Sequence, residues 1–182
     1  MKELSLNILD ITKNSTKANA KLVEIAIEES DTQLKISITD DGKGMTDEVL
    51  RSVSDPFYTT RTTRKVGMGI PLFKCAAEQT GGYVDIQSKH IDEFPTDHGT
   101  TVCAVFNKNH IDFTPLGDII STVLTLIQGN PDVDFLFNHK MSVGSVALDT
   151  RELRAVLDEV PLDNFEVLLW IKENLEEQYN SI

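Results

Sequence analysis

Cysteine is nearly missing from this chain of 182 residues: Cys75 and Cys103 are the only two, and they form no Cys-x-x-Cys pair. That spacing excludes a cysteine-based zinc site and a dithiol redox motif, and both thiols read as small core residues. Positive charge is scarce as well. There are 17 Lys and Arg against 29 Asp and Glu, a net charge of -12. Such a balance disfavours nucleic acid as a partner, because that binding draws its affinity from neutralised phosphates. No apolar run approaches the roughly 18 to 20 residues that cross a bilayer. The N-terminus "MKELSLNILD" has no cationic segment leading into an apolar one, so a cytoplasmic chain that keeps off membranes is expected. The four histidines, His90, His98, His110 and His139, are scattered without metal-ligand spacing. Low-complexity runs and internal repeats are missing too, which leaves an ordinary globular composition, 40% hydrophobic and 25% charged. The length suits one domain, or one domain with a substantial extension.

Periodicity then divides the chain. Residues 3 to 18 predict a helix with Leu4, Ile8 and Ile11 on an apolar stripe and Asn7, Asp10 and Asn14 on a polar one. "KLVEIAIEES" and "LKISITD" alternate around Ser30-Asp31-Thr32 and predict a hairpin. Thr46 caps a short helix "DEVLRSV", Pro56 opens a loop, and Pro71 suits the first position of a helix that ends at Gly81-Gly82. Strands "YVDIQSK" and "GTTVCAVF" follow. Beyond them a helix "LGDIISTVLTLIQ", two strands "VDFLFNH" and "SVGSVALD", and two helices "TRELRAVLDEV" and "NFEVLLWIKENLEEQ" complete the chain. In the last helix Leu168, Trp170, Ile171 and Leu175 read as core.

Four short stretches carry chemistry. In "DDGKGM" a strand ends in Asp40, and Gly42 and Gly44 let backbone approach a flat ligand whose exocyclic amine the carboxylate can accept. On the first helix Asp10, Asn14 and Lys17 project toward one side: Asn14 offers an amide oxygen suited to Mg²⁺, Lys17 a point charge for phosphate, and Asp10 a group to orient or deprotonate a nucleophile. Gly67-Met68-Gly69 opens a helix whose free amides and dipole suit phosphate, with Arg61, Arg64 and Lys65 just upstream. "HGTTV" supplies hydroxyls at Thr100 and Thr101 for a base or a bridging water.

In this order and spacing the stretches resemble the histidine kinase-like (GHKL) ATP-binding family of gyrase-type topoisomerases, heat-shock chaperones, histidine kinases and MutL mismatch-repair ATPases. The resemblance covers roughly residues 3 to 107. "NILDITKNSTKANA" looks like the family's Asn-bearing box, with Asn14 at the Mg²⁺ position, Lys17 at the phosphate-side basic position and Asp10 where some branches hold a Glu general base. "ITDDGKGM", through Met45, looks like the Asp-x-Gly-x-Gly box, which makes Asp40 rather than Asp41 the adenine-binding carboxylate, helped by the Thr100 hydroxyl. "DPFYTTR" is similar to the Phe-bearing box of histidine kinases and "KVGMGIPL" to their glycine box. The resemblance therefore implies an ATP lid with Phe57, Thr59 and Thr60 at its base, Arg61, Arg64 and Lys65 facing phosphate, and Val66 to Gly69 as hinge and cradle. Pro71 stands where the kinase pattern has its third glycine, and Asp10 is one methylene shorter than Glu.

The resemblance implies an α+β fold, a two-layer α/β sandwich of the Bergerat type, with a mixed sheet and helices on one face. Residues 1 to 107 would form the ATP-binding domain and 108 to 182 an α/β extension of unknown role packed on it. ATP and Mg²⁺ are the implied cofactors. The chain opens on the nucleotide helix, without the phospho-accepting helical region of a sensor kinase. An ATPase or a protein kinase acting on water or a separate protein is therefore expected. A nucleotide-dependent regulatory binding module is the alternative. A MutL-like repair ATPase is a third reading, carried by the wording "NSTKANA" and opposed by the short lid and the acidic charge. The tail is left to extend the sheet, cover the core or form a partner or dimer surface.

Overall fold

The computed structural model describes residues 3–54 and 69–182. Among them the elements run α1 (Leu4–Lys17), β1 (Leu22–Glu29), β2 (Gln33–Asp40), α2 (Asp47–Ser54), α3 (Gly69–Gln79), β3 (Tyr83–Lys89), β4 (Gly99–Asn107), α4 (Ile119–Gly129), β5 (Asp134–Met141), β6 (Gly144–Asp149), α5 (Thr150–Leu157) and α6 (Phe165–Asn180). The strands make one six-stranded sheet in the order β3-β4-β2-β1-β5-β6. Every pairing is antiparallel except β1 with β5. The mixed sheet and its layer of helices form a two-layer α/β sandwich.

Alternation along each strand decides which face is covered. Val23, Ile25 and Ile27 of β1, Leu34, Ile36 and Ile38 of β2, and Phe135 and Phe137 of β5 are all buried. Their neighbours Glu24, Glu28, Lys35 and Asn138 are exposed on the opposite face. Four helices cover the apolar face: α3 on β3 and β4, α1 on β2, α4 on β5 and α6 on β6, with α1 packed between α3 and α4. Phe73 of α3 meets Phe106 of β4 with ring centroids 5.4 Å apart. Both side chains are fully buried, and each contributes about 1.5–3 kcal/mol through the area it removes from water. That contact ties α3 to the sheet.

The structure departs from the sequence reading at several places. Asn7 is not on a solvated stripe but 1% exposed, because α3 and the chain before α4 close over that side of α1. Cys75 is exposed and Cys103 half-buried, so neither is a core residue. Pro71 lies inside the first turn of α3 rather than at its first residue, where its missing N–H is still one that the helix leaves unpaired. In α6 the buried line is Val167, Ile171 and Leu175, while Trp170 is 50% exposed. A period of 3.6 sets Trp170 about 100° from Ile171 around the helix.

Candidate functional site

Helix α1 has no side-chain cap at its start. Its first amides are paired from elsewhere: Leu4 N–H donates to Pro115 O at 2.9 Å and Ser5 N–H to Leu116 O at 2.8 Å. At the other end Asn19 takes φ 61°. Its N–H donates to Thr16 O at 3.1 Å, and Ala20 N–H donates to Ser15 O at 3.2 Å. This is the paired turn that stops a helix with a left-handed residue. The carbonyl of Ala18 is thereby freed to accept from Lys43 N–H at 2.9 Å, which fastens the glycine loop after β2 to the end of α1.

Asp40, the last residue of β2, is buried. Ser15 Oγ donates to its Oδ2 at 2.6 Å and Gly42 N–H donates to its Oδ1 at 2.9 Å. An ionised carboxylate has about four lone-pair directions, so acceptor capacity remains on both oxygens. Asp41 points elsewhere, accepting from the backbone N–H of Lys21 at 2.7 Å and Leu22 at 2.9 Å. Gly44 takes φ +70°, and a Cβ there would stand 2.0 Å from Lys89 O. The loop is stitched further by Ile91 N–H to Lys43 O at 2.9 Å and Met45 N–H to Ser88 Oγ at 2.8 Å. His98 Nδ1 donates to Gly42 O at 2.7 Å, and Ser88 Oγ lies 2.8 Å from Thr100 Oγ1.

These elements enclose a pocket of about 410 Å³. Ile11, Ile38, Val53, Ile70 and Val102 give it apolar walls, and Asp40 supplies a carboxylate among them. An apolar slot with one buried acceptor suits a flat ring bearing an amino group. Of the residues singled out in the sequence, Asn14, Lys17, Asp40, Gly44, Met45 and Thr100 line this pocket. Gly42 acts from beneath, through its N–H to Asp40. Asp10 is exposed and outside the lining, and a Cβ added at Gly69 would lie 3.1 Å from Asp10 Cβ. The two therefore abut. Thr101 faces the opposite side of the sheet, 3.1 Å from Thr39 Oγ1, since successive strand residues point apart. Phe57, Thr59, Thr60, Arg61, Arg64, Lys65, Val66, Gly67 and Met68 lie outside the described residues.

Among the polar lining residues, Ser15, Lys43, Thr46 and His90 were not singled out as binding residues. Ser15 directly follows Asn14, so its hydroxyl was legible as part of the same turn. His90 carried no signal, because only the fold of the long loop after β3 brings it to the pocket.

A family model described as histidine kinase-, DNA gyrase B-, and HSP90-like ATPase matches residues 1–110. The chain belongs to this family. Among curated relatives of this ATPase domain, the sensor histidine kinase ZraS of Klebsiella oxytoca is 31% identical over 84 residues, covering 44% of this chain and 18% of its own length. Sporulation kinase C of Bacillus subtilis is 30% identical over 91 residues, covering 49% of this chain and 20% of its own. The chain thus spans about a fifth of these relatives. Among solved structures, the Aquifex aeolicus MutL ATPase domain complexed with ADP is similar at a TM-score of 0.50 and 12% identity, covering 99% of this chain and 70% of that one. The N-terminal domain of a DNA repair protein reaches a TM-score of 0.52 at 15% identity, covering 82% and 53%. These two show likeness of fold. No helix among the described residues is long and apolar enough to cross a membrane.

Proposed function

We propose that this GHKL ATPase domain binds Mg-ATP in the 410 Å³ pocket and passes the γ-phosphoryl group to water or to a separate protein. The observation that carries the reading is Asp40, buried in an apolar slot and held by Ser15 and Gly42. The carboxylate would accept the adenine amino group, with Thr100 and Met45 beside it. Asn14 and Lys17, on the same pocket wall, would face the phosphates. Arg61, Arg64 and Lys65 would close from the lid, and Gly67 to Gly69 would offer backbone amides.

The residues present suit Mg²⁺ bound chiefly through phosphates and water. Among the described residues no group of three or more His, Cys, Asp or Glu could hold a metal, while Asn14 offers one hard amide oxygen, which is how Mg²⁺ is commonly held beside nucleotide phosphates. When bound, the ion neutralises charge that develops on the transferred group. Asp10, exposed and against Gly69, is free to orient the attacking water or hydroxyl and take its proton. The kinase side of the reading comes from the sensor and sporulation kinases among the relatives. The nucleotide side is supported by the ADP in the MutL domain of like fold. On this reading the domain works on the cytoplasmic side, where ATP is supplied.

The test is incubation with γ-labelled ATP and Mg²⁺, alone and with candidate protein acceptors, scoring free phosphate and labelled protein. Asp10→Asn is expected to abolish both products while ATP still binds. Tight binding with neither product from the wild type would replace this reading with that of a nucleotide-dependent regulatory module.

A further inference from the structure

The packing of α6 uses one side of the helix only. Its buried line is Val167, Ile171 and Leu175, which the 3.6 period sets on one side. Away from that line Phe165 is 77% exposed, Leu169 43% and Trp170 50%. Large apolar side chains grouped in the open and rimmed by charge mark a surface that another molecule covers. Glu166, Trp170, Glu173 and Glu177 follow at i, i+4, i+7 and i+11 and form one exposed stripe. Phe165, Leu169, Lys172 and Glu176 repeat that spacing in the exposed stripe beside it. The charge on this side is arranged against the helix itself. A helix dipole favours acids at the start and cations at the end, yet α6 has no basic residue in its last turn and carries Glu173, Glu176 and Glu177 in its second half. Glu173 and Glu177 are one turn apart, a spacing at which like charges repel. Lys172 meets Glu176 at 3.8 Å, whereas Glu166, Glu173 and Glu177 make no ion pair among the described residues.

We propose that the outer side of α6 docks a lysine- or arginine-rich amphipathic helix of a partner protein. Phe165, Leu169 and Trp170 would take its apolar side chains, and Glu166, Glu173 and Glu177 its cations. The spacing shared by the two stripes is the one along which two helices meet. Trp170, standing among the acids, suits a guanidinium or ammonium over its ring. Charge decides against other occupants. A second copy would bring the same acids face to face, in a chain of net charge -12. Anionic lipid headgroups and nucleic acid phosphates would be repelled as well. Helix α6 packs on β6 and α4, and none of its residues lines the nucleotide pocket, so this surface is tested independently of ATP.

Trp170 is the only tryptophan of the chain, so its emission reports the contact directly. The full chain is titrated with Ac-LKKLLKLLKKLLKL-amide, a cationic amphipathic helix, and with Ac-LEELLELLEELLEL-amide, its anionic counterpart. Trp170 emission and the anisotropy of the fluorescein-labelled peptides are read in parallel. The expected result is saturable binding of the lysine peptide with a blue shift of Trp170 emission, and binding of the glutamate peptide at least about tenfold weaker. Removing three charges from the surface, Glu166→Gln with Glu173→Gln and Glu177→Gln, should weaken the lysine peptide by about tenfold. Removing three exposed charges elsewhere, Asp31→Asn with Glu93→Gln and Asp132→Asn, should leave its affinity within about twofold. Trp170→Ala should weaken it by at least about fivefold. Phe165→Ser, at the most exposed of the three apolar positions, should do the same and decides the matter if Trp170→Ala fails to fold. Equal affinity for the two peptides overturns the proposal, as does binding that leaves Trp170 emission unshifted. So does an equal loss in both triple variants, which would assign the binding to net charge. Self-association of the chain alone that Phe165→Ser abolishes would give the surface to a second copy instead.

Discussion

Asp40 has both carboxylate oxygens engaged before any ligand arrives, and both partners donate. Asn in its place would have one acceptor oxygen for two donors, and an NH₂ group facing the hydroxyl or the amide. Asp40→Asn should therefore cost about 1–3 kcal/mol of stability and weaken ATP binding by at least about tenfold, read by denaturant unfolding and calorimetry. Unchanged ATP affinity would remove Asp40 from the nucleotide site. Gly44 is a steric requirement of a different kind, with φ +70° and Lys89 O where a Cβ would stand. Gly44→Ala should force the loop off Ser88 and His90, costing about 1–3 kcal/mol as strain and weakening ATP binding. Normal affinity in a folded Gly44→Ala chain would show that the loop's approach to β3 is not needed.

At the level of elements, the contact joining β1, β5 and α6 is expected to make stability fall in acid. His139 is 3% exposed; its Nε2 lies 3.1 Å from Glu29 Oε2 and its Nδ1 2.8 Å from the Tyr179 hydroxyl. A carboxylate only accepts, so Nε2 carries the proton and Tyr179 donates to Nδ1. Lys108 Nζ closes the far side of Glu29 at 2.7 Å. Burial holds His139 below its ordinary 6.5, against the opposing pull of the Glu29 carboxylate and with a smaller push from Lys108. Burial raises Glu29, but Lys108 and His139 outweigh it and leave the carboxyl below its usual value. Burial, and then the Glu29 charge, raises the Tyr179 hydroxyl, which stays protonated. The unfolded chain takes up a proton at His139 near 6.5 and the folded chain only at lower pH. Stability from this group is whole above 6.5 and drains as pH falls toward the lowered value. Unfolding curves over a pH series should show that slope in the wild type and a flatter one in His139→Gln. Tyr179→Phe, which leaves Nδ1 buried without a donor, should cost about 1–3 kcal/mol. An identical slope in His139→Gln would assign the acid sensitivity to other groups.

On the scale of the whole molecule, the matched family region ends at residue 110, but the sheet does not. Strand β5 pairs along the length of β1, and Pro115 and Leu116 complete the start of α1. Cutting the chain after residue 110 would unpair one edge of β1 and uncover Ile25 and Ile27. It would also delete Ile119, Val123, Leu126, Phe135, Phe137, Val146 and Leu148, all buried. At about 1.5–3 kcal/mol for each large apolar side chain, the burial removed is of the same order as the 5–15 kcal/mol by which a domain of this kind is stable. The fragment 1–110 should show no cooperative thermal transition by circular dichroism and no ATP binding. A sharp transition in that fragment would make the remaining chain an appendage rather than part of the fold.

Much of this was legible in the chain itself, because the information is local. Alternation set the faces of β1, β2 and β5, the 3.6 period set the apolar stripe of α1, and Asp-x-Gly-x-Gly at a strand's end announced the loop that follows Asp40. The sequence alone thus determined the described elements, the family resemblance and Asn14, Lys17, Asp40, Gly44, Met45 and Thr100 among the residues that line the 410 Å³ pocket. Tertiary structure decided what depends on contacts far apart in the chain. It turned Asn7 inward under α3, left Cys75 outside and brought His90 to the pocket wall. It joined residues 108–182 to the sheet through β5 and linked Glu29 to His139 and Tyr179. None of these can be read from periodicity, since burial and hydrogen bonding are set by which surfaces the folded chain brings together.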